Sequence, residues 1–220
     1  MIFLQLESYP NEIAQDPKIS PNLYNLSKRY EFIAPINCEP YTKWSLAGAS
    51  VTETGIPQIY PEPEWHSGAN SNDYKYIQRI QGIPNILETI NYKLNYISTG
   101  INEVMGYENW ILSHNYTKIY QAKNDLYLFE YLTNQFLPKL DKEFHETKQK
   151  TLTLILNAET HSPYKRPKWC RIERDISDKM KCFACIDFAL SKFINKFLEL
   201  KMYENTLLVV FPDHFPYFMD

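Results

Sequence analysis

Glu7, His161 and the pair Asp213-His214 are the residues whose types and placement point to chemistry, because each follows closely on a short apolar run. Ile2-Phe3-Leu4-Gln5-Leu6 ends at Glu7, and Thr151-Leu152-Thr153-Leu154-Ile155-Leu156 runs out to Thr160-His161. Leu207-Leu208-Val209-Val210-Phe211 ends at Asp213-His214. Two carboxylate oxygens and an imidazole nitrogen could together hold a divalent metal. Such a site keeps a position open for a nucleophile or substrate oxygen. Thr42 is the candidate for that oxygen, since it stands where a loop meets a helix of small residues. The amino end of a helix offers unpaired N–H groups and a positive dipole to an anion. A threonine hydroxyl needs a metal or a base to act as a nucleophile; the plain alternative is that Thr42 only caps the helix. His161 lies in the cationic stretch Thr160-His161-Ser162-Pro163-Tyr164-Lys165-Arg166, where Arg166 suits phosphate oxygens. Trp44, beside Thr42 and Lys43, is placed to wall a pocket.

The elements that must position these residues can be read from the same pattern. Short aliphatic runs bounded by turn residues predict buried strands of a parallel sheet, and in open α/β sheets the carboxyl ends of the strands line the ligand crevice. A helix is expected to open at Ser20-Pro21, and a short strand over 31–35. The small-residue helix over 46–51 is expected to stop near Gly55. Residues 57–82, rich in Pro, Gly, Asn and Ser, predict a long loop over the active face. A helix over 84–92 and a strand over 94–97 follow. Asp125 is expected to cap a helix bearing Leu126, Phe129, Leu132 and Phe136 on one face, and 183–197 to form a second amphipathic helix before the last strand. The fold class expected is α/β, a mostly parallel central sheet sandwiched by helices.

Composition narrows the function classes. The net charge of -3 over 220 residues gives no footprint for nucleic acid. No run reaches the roughly 18 apolar residues of a membrane span. Cys182-Phe183-Ala184-Cys185 lacks a second pair at zinc-ribbon spacing. In an oxidising compartment Cys170 can bridge to Cys182 or Cys185; free buried thiols are the alternative. A core strand at Met1 and a stop soon after Asp213-His214 lead us to expect a single catalytic domain over 1–220, truncated at both ends, from a longer protein.

Five segments, in order, carry a resemblance to a known family. They are Gln5-Leu6-Glu7-Ser8; Pro21-Asn22-Leu23 with Leu26; Thr42-Lys43-Trp44-Ser45-Leu46-Ala47-Gly48 with Gly55-Ile56-Pro57; Thr160-His161-Ser162-Pro163-Tyr164; and Tyr203-Glu204-Asn205-Thr206-Leu207 with Asp213-His214. Together they resemble the alkaline phosphatase/sulfatase superfamily, in its branch of lipoteichoic acid synthases and phosphoglycerol or phosphoethanolamine transferases. The resemblance implies an alkaline phosphatase-like fold, with Glu7, Thr42, Asp213 and His214 as ligands of manganese or zinc, between which the mixed ligand set does not choose, and Thr42 as nucleophile, forming a phospho-threonine intermediate. It makes His161, Lys43, Trp44 and Arg166 substrate contacts. It further implies a membrane phospholipid donor, a glycan or lipid acceptor, no nucleic acid, a membrane tether in the full-length protein, and a place in the periplasm or on the outer face of the inner membrane.

Departures from the family pattern sharpen the expectation. Thr42-Lys43-Trp44-Ser45 lacks the Cys/Ser-x-Pro-x-Arg segment of the sulfatases proper, so sulfate-ester hydrolysis is not expected. The extra Asp and His ligands of two-metal members are not found, so one metal is expected. Phosphodiester hydrolysis at the same site and an inactive truncated remnant are the alternatives to transfer.

Overall fold

The computed structural model describes residues 1–31, 45–55, 80–100 and 107–214. Its strands are β1 (Ile2–Leu6), β2 (Lys93–Thr99), β3 (Thr117–Ala122), β4 (Thr151–Leu156) and β5 (Leu208–Pro212). They pair in the order β3-β2-β4-β1-β5, every pair parallel. The first strand is buried along its whole length because β4 and β5 flank it. At the edge, β5 is only half-buried, although its sequence is as apolar.

Side chains alternate between the two faces of a strand, so each inner strand feeds two cores. Ile2, Leu4, Leu6, Ile97 and Ile155 face one, shared with α6 (Asp125–Tyr131), α7 (Leu137–Thr147) and α8 (Asp178–Glu199). Phe3, Leu94, Tyr96, Leu152, Leu154 and Leu156 face the other, under α3 (Ser45–Thr54), α4 (Ile83–Thr89) and α5 (Tyr107–Ser113). Two further helices, α1 (Asn11–Ala14) and α2 (Pro21–Ser27), follow β1.

Capping departs from the sequence expectation in two places, for the same reason. Ser20 precedes α2 and Pro21 opens it, but the Ser20 hydroxyl bonds to Tyr9 instead of the helix. Buried Asp187 of α8 caps α2, accepting from the amides of Asn22 and Leu23. Asn124 caps α6 by accepting from the Tyr127 amide, while Asp125 turns inward. In both cases the carboxylate goes where several buried donors converge. Between α6 and α7 the helix widens into a π turn, Leu132–Phe136, ahead of Pro138. A proline cannot donate to the preceding turn, and a π turn absorbs that missing bond.

Cys170 is disulfide-bonded to Cys185, tying the loop after β4 to α8. Cys182 remains a buried thiol whose Sγ donates to the Glu159 carbonyl at 3.0 Å, and burial pushes it up to about 12. The strand expected over 31–35 and almost all of the loop expected over 57–82 lie outside the described residues.

Glu53, near the end of α3, supplies a prediction. It is buried, accepting from Trp110 Nε1 at 2.9 Å and Tyr116 Oη at 2.7 Å. Burial outweighs both bonds and raises its pKa from 4.5 to about 7. Between those values the unfolded chain has lost this proton while the folded chain keeps it, so stability falls as pH rises through that window. The contribution is fully present below pH 4.5 and gone above about pH 7, a change on the order of 3 kcal/mol. Thermal unfolding at pH 5 and pH 8 should show this slope in the wild type and a smaller one in Glu53→Gln. Equal slopes would refute the assignment.

Candidate metal centre

The parallel sheet brings three strand ends to one place. β1 delivers Glu7, and β5, its direct neighbour, delivers Asp213 and His214; all three side chains are buried. One ligand atom from each lies within 4.8 Å of the others. His214 Nε2 stands 3.2 Å from Glu7 Oε1 and 3.4 Å from Asp213 Oδ2. Bonds of about 2.0–2.2 Å put tetrahedral neighbours about 3.4 Å apart, which the two His214 separations already match.

Electrostatics favour a cation there. Burial raises the Glu7 carboxyl, but the hydrogen bond and charge of His214, with bonds from Asp213 and Ser8, overcome it and hold the group at about 2. Burial, then the charge of Glu7, push Asp213 well above the carboxylate range. Two adjoining buried carboxylates cannot both ionise without a counter-charge, so a proton settles on the pair, at Asp213. Asp213 Oδ2 is buried and receives no hydrogen bond. An orphaned carboxylate oxygen beside an imidazole and a second carboxylate fits a divalent ion.

A hydroxyl joins the cluster, and it belongs to Ser45. Its Oγ donates to Glu7 Oε2 at 2.8 Å and lies 3.4 Å from His214 Nε2. Ser45 begins the described part of α3, three residues after the hydroxyl that sequence reasoning selected. Thr42, Lys43 and Trp44 lie outside the described residues.

A polar scaffold under the strand ends was not anticipated. Asn157, just past β4, accepts from the Glu7 amide at 2.9 Å and donates to Asp125 Oδ2 at 2.9 Å and Thr160 Oγ1 at 3.1 Å. Asp125 also accepts from Thr99 Oγ1 and from the amides of Ala158 and Glu159. The loop carrying His161 is thereby fixed at its root. His161 itself is exposed, its Nδ1 donating to the Ser162 carbonyl at 2.8 Å. Arg166 turns to the Cys170 carbonyl and Glu173, the engagement of a loop brace. His114 bonds to the carbonyls of Trp110 and Ile80, and His145 sits beside Asp141; neither joins the cluster.

A protein-family model described as Sulfatase matches residues 38–220. The chain belongs to the sulfatase family. No curated protein shows significant sequence similarity to it. A solved alkaline phosphatase superfamily protein from Vibrio parahaemolyticus superposes with a TM-score of 0.74 at 18% identity, over 99% of this chain and 55% of its own. The lipoteichoic acid synthase LtaP from Listeria monocytogenes gives 0.72 at 20%, over 98% and 56%. The C-terminal periplasmic domain of EcEptC from Escherichia coli, solved in complex with Zn, gives 0.56 at 15%, over 97% and 63%. This sulfatase-family chain thus spans a little over half the length of the structures it matches, and its sheet has the alkaline phosphatase-like architecture. No helix among the described residues is long and apolar enough to cross a membrane.

Proposed function

We propose that the chain is the catalytic part of a metal-dependent phosphotransferase of the cell envelope, which moves phosphoglycerol or phosphoethanolamine from a membrane phospholipid to a glycan or lipid hydroxyl. The observation that carries this reading is the Ser45 hydroxyl hydrogen-bonded into the buried Glu7, Asp213 and His214 cluster. A zinc or manganese ion held by these three side chains supplies Lewis-acid stabilisation of charge on oxygen. Ser45 Oγ forms a bond to phosphorus and its proton passes to solvent, while Glu7 Oε2, which accepts from that hydroxyl, orients it. The bond from phosphorus to the diacylglycerol oxygen breaks, and that oxygen takes up a proton. An acceptor hydroxyl then displaces Ser45 from the phosphoseryl group, and the serine is regenerated. His161 Nε2 is the candidate contact for a phosphate oxygen. The Cys170–Cys185 disulfide agrees with an oxidising, extracytoplasmic location. The family resemblance favours Thr42 for the same role, and the variants below separate the two.

The test is a phospholipid labelled in its headgroup, supplied to the purified protein with metal. Ser45→Ala should lower transfer by about 10³-fold or more, since a nucleophile has no substitute, and Thr42→Ala should leave it within about tenfold. The reverse pattern would return the role to Thr42. Free headgroup without transferred product would assign the site to hydrolysis. Wild-type activity in both variants would remove the covalent mechanism.

A further inference from the structure

We infer that Ser8 is a positioning residue that presets both carboxylates for the ion, an inference that rests on the metal-dependent reading above. Ser8 stands at the end of β1 with φ 46° and is 2% exposed. Its hydroxyl donates to Glu7 Oε1 at 2.7 Å and its amide donates to Asp213 Oδ1 at 2.7 Å. One residue thus reaches ligands that lie 206 positions apart in the chain, 213 less 7. The His214 amide reinforces the second contact, donating to Asp213 Oδ1 at 2.8 Å.

The consequence lies in which oxygens remain. Glu7 Oε2 faces the Ser45 hydroxyl, and Asp213 Oδ2 faces His214 Nε2 at 3.4 Å. A carboxylate held by a donor loses its freedom to rotate, so its oxygens are set in place before any ion arrives. The left-handed backbone carries the argument further. Glycine would hold this conformation with less strain than serine, so what the serine contributes is its hydroxyl.

That contrast provides a test whose readouts separate positioning from folding. Metal-free protein is titrated calorimetrically with Zn²⁺ and with Mn²⁺, and its thermal unfolding is followed without metal. Ser8→Gly relieves the backbone but removes the donor; its metal-free unfolding temperature should equal or exceed the wild type's while its metal affinity falls about 10–100-fold. Ser8→Ala should lose affinity comparably. Ser8→Thr, which keeps a hydroxyl, should bind within about threefold of wild type when it folds, as between two side chains offering the same donor. Wild-type affinity in Ser8→Gly would overturn the inference, as would an affinity loss in all three variants that follows their unfolding temperatures. A wild-type protein that binds neither ion would overturn the metal reading itself, and this inference with it.

Discussion

Gly48→Ala is expected to silence the protein without dismantling its sheet. A Cβ at position 48 would coincide with the carbonyl oxygen of Asp213 and lie 2.8 Å from its carbonyl carbon and 3.2 Å from its Cα. These are backbone atoms at a strand end, so no rotamer change relieves the clash. Either α3 or the end of β5 must shift by about an ångström, a displacement that in an enzyme site is worth about 100-fold in rate. Ser45 rides on α3 and Asp213-His214 on the end of β5, so the shift separates the hydroxyl from its partners. Overpacking of this kind costs about 1–3 kcal/mol. The variant should therefore stay folded, melt roughly 3–10 °C lower, and lose at least about 100-fold in kcat/KM. Wild-type turnover would show that α3 is not registered against β5 in this way.

Asp125→Ala is expected to have the largest effect on stability. The carboxylate accepts from Thr99 Oγ1 at 2.7 Å, Asn157 Nδ2 at 2.9 Å, the Ala158 amide at 3.0 Å and the Glu159 amide at 2.9 Å. Truncation leaves these buried donors without an acceptor, at about 3–5 kcal/mol. Asn157 would also lose the bond that steadies it against the Glu7 amide, so metal affinity should fall together with stability. Asp125→Asn keeps the shape but turns one acceptor into a donor, and should cost less, about 1–3 kcal/mol. Denaturant unfolding of both variants, with metal titration, checks the order. A loss below about 1 kcal/mol in the alanine variant would mean that the network is not holding the strand ends.

Both residues bear on what the sequence discloses. The strands at 2–6 and 151–156 were legible because burial on both faces demands unbroken apolar runs, and the half-buried strand at 208–212 because its run is as apolar. The strand at 117–122 was not, because exposed Lys118 and Gln121 break its apolar run. Strand ends also pointed to Glu7, Asp213 and His214, since a polar side chain placed directly after an apolar run stands out, and the structure gathers the three within 4.8 Å. Ser45 was overlooked because a hydroxyl gains its meaning from the atoms it meets, and those belong to residues 38 and 169 positions away. Asp125 was read as a cap because local spacing at a helix start outweighs, on paper, partners near residue 158. Gly48 looked like one small residue among several until the Asp213 backbone was found against it.

The pairing of the first strand with the last sets an order of events. Ile2 is in register with Leu208, and Glu7 meets Asp213 only through that pairing. Closing so long a loop is slow compared with local helix formation. During synthesis or export from the amino end, Glu7 emerges long before its partners. The cluster proposed to bind the ion is therefore among the last features of the described residues to assemble. On that reading a half-folded chain offers a metal a lone carboxylate, and full affinity signals that β5 has docked.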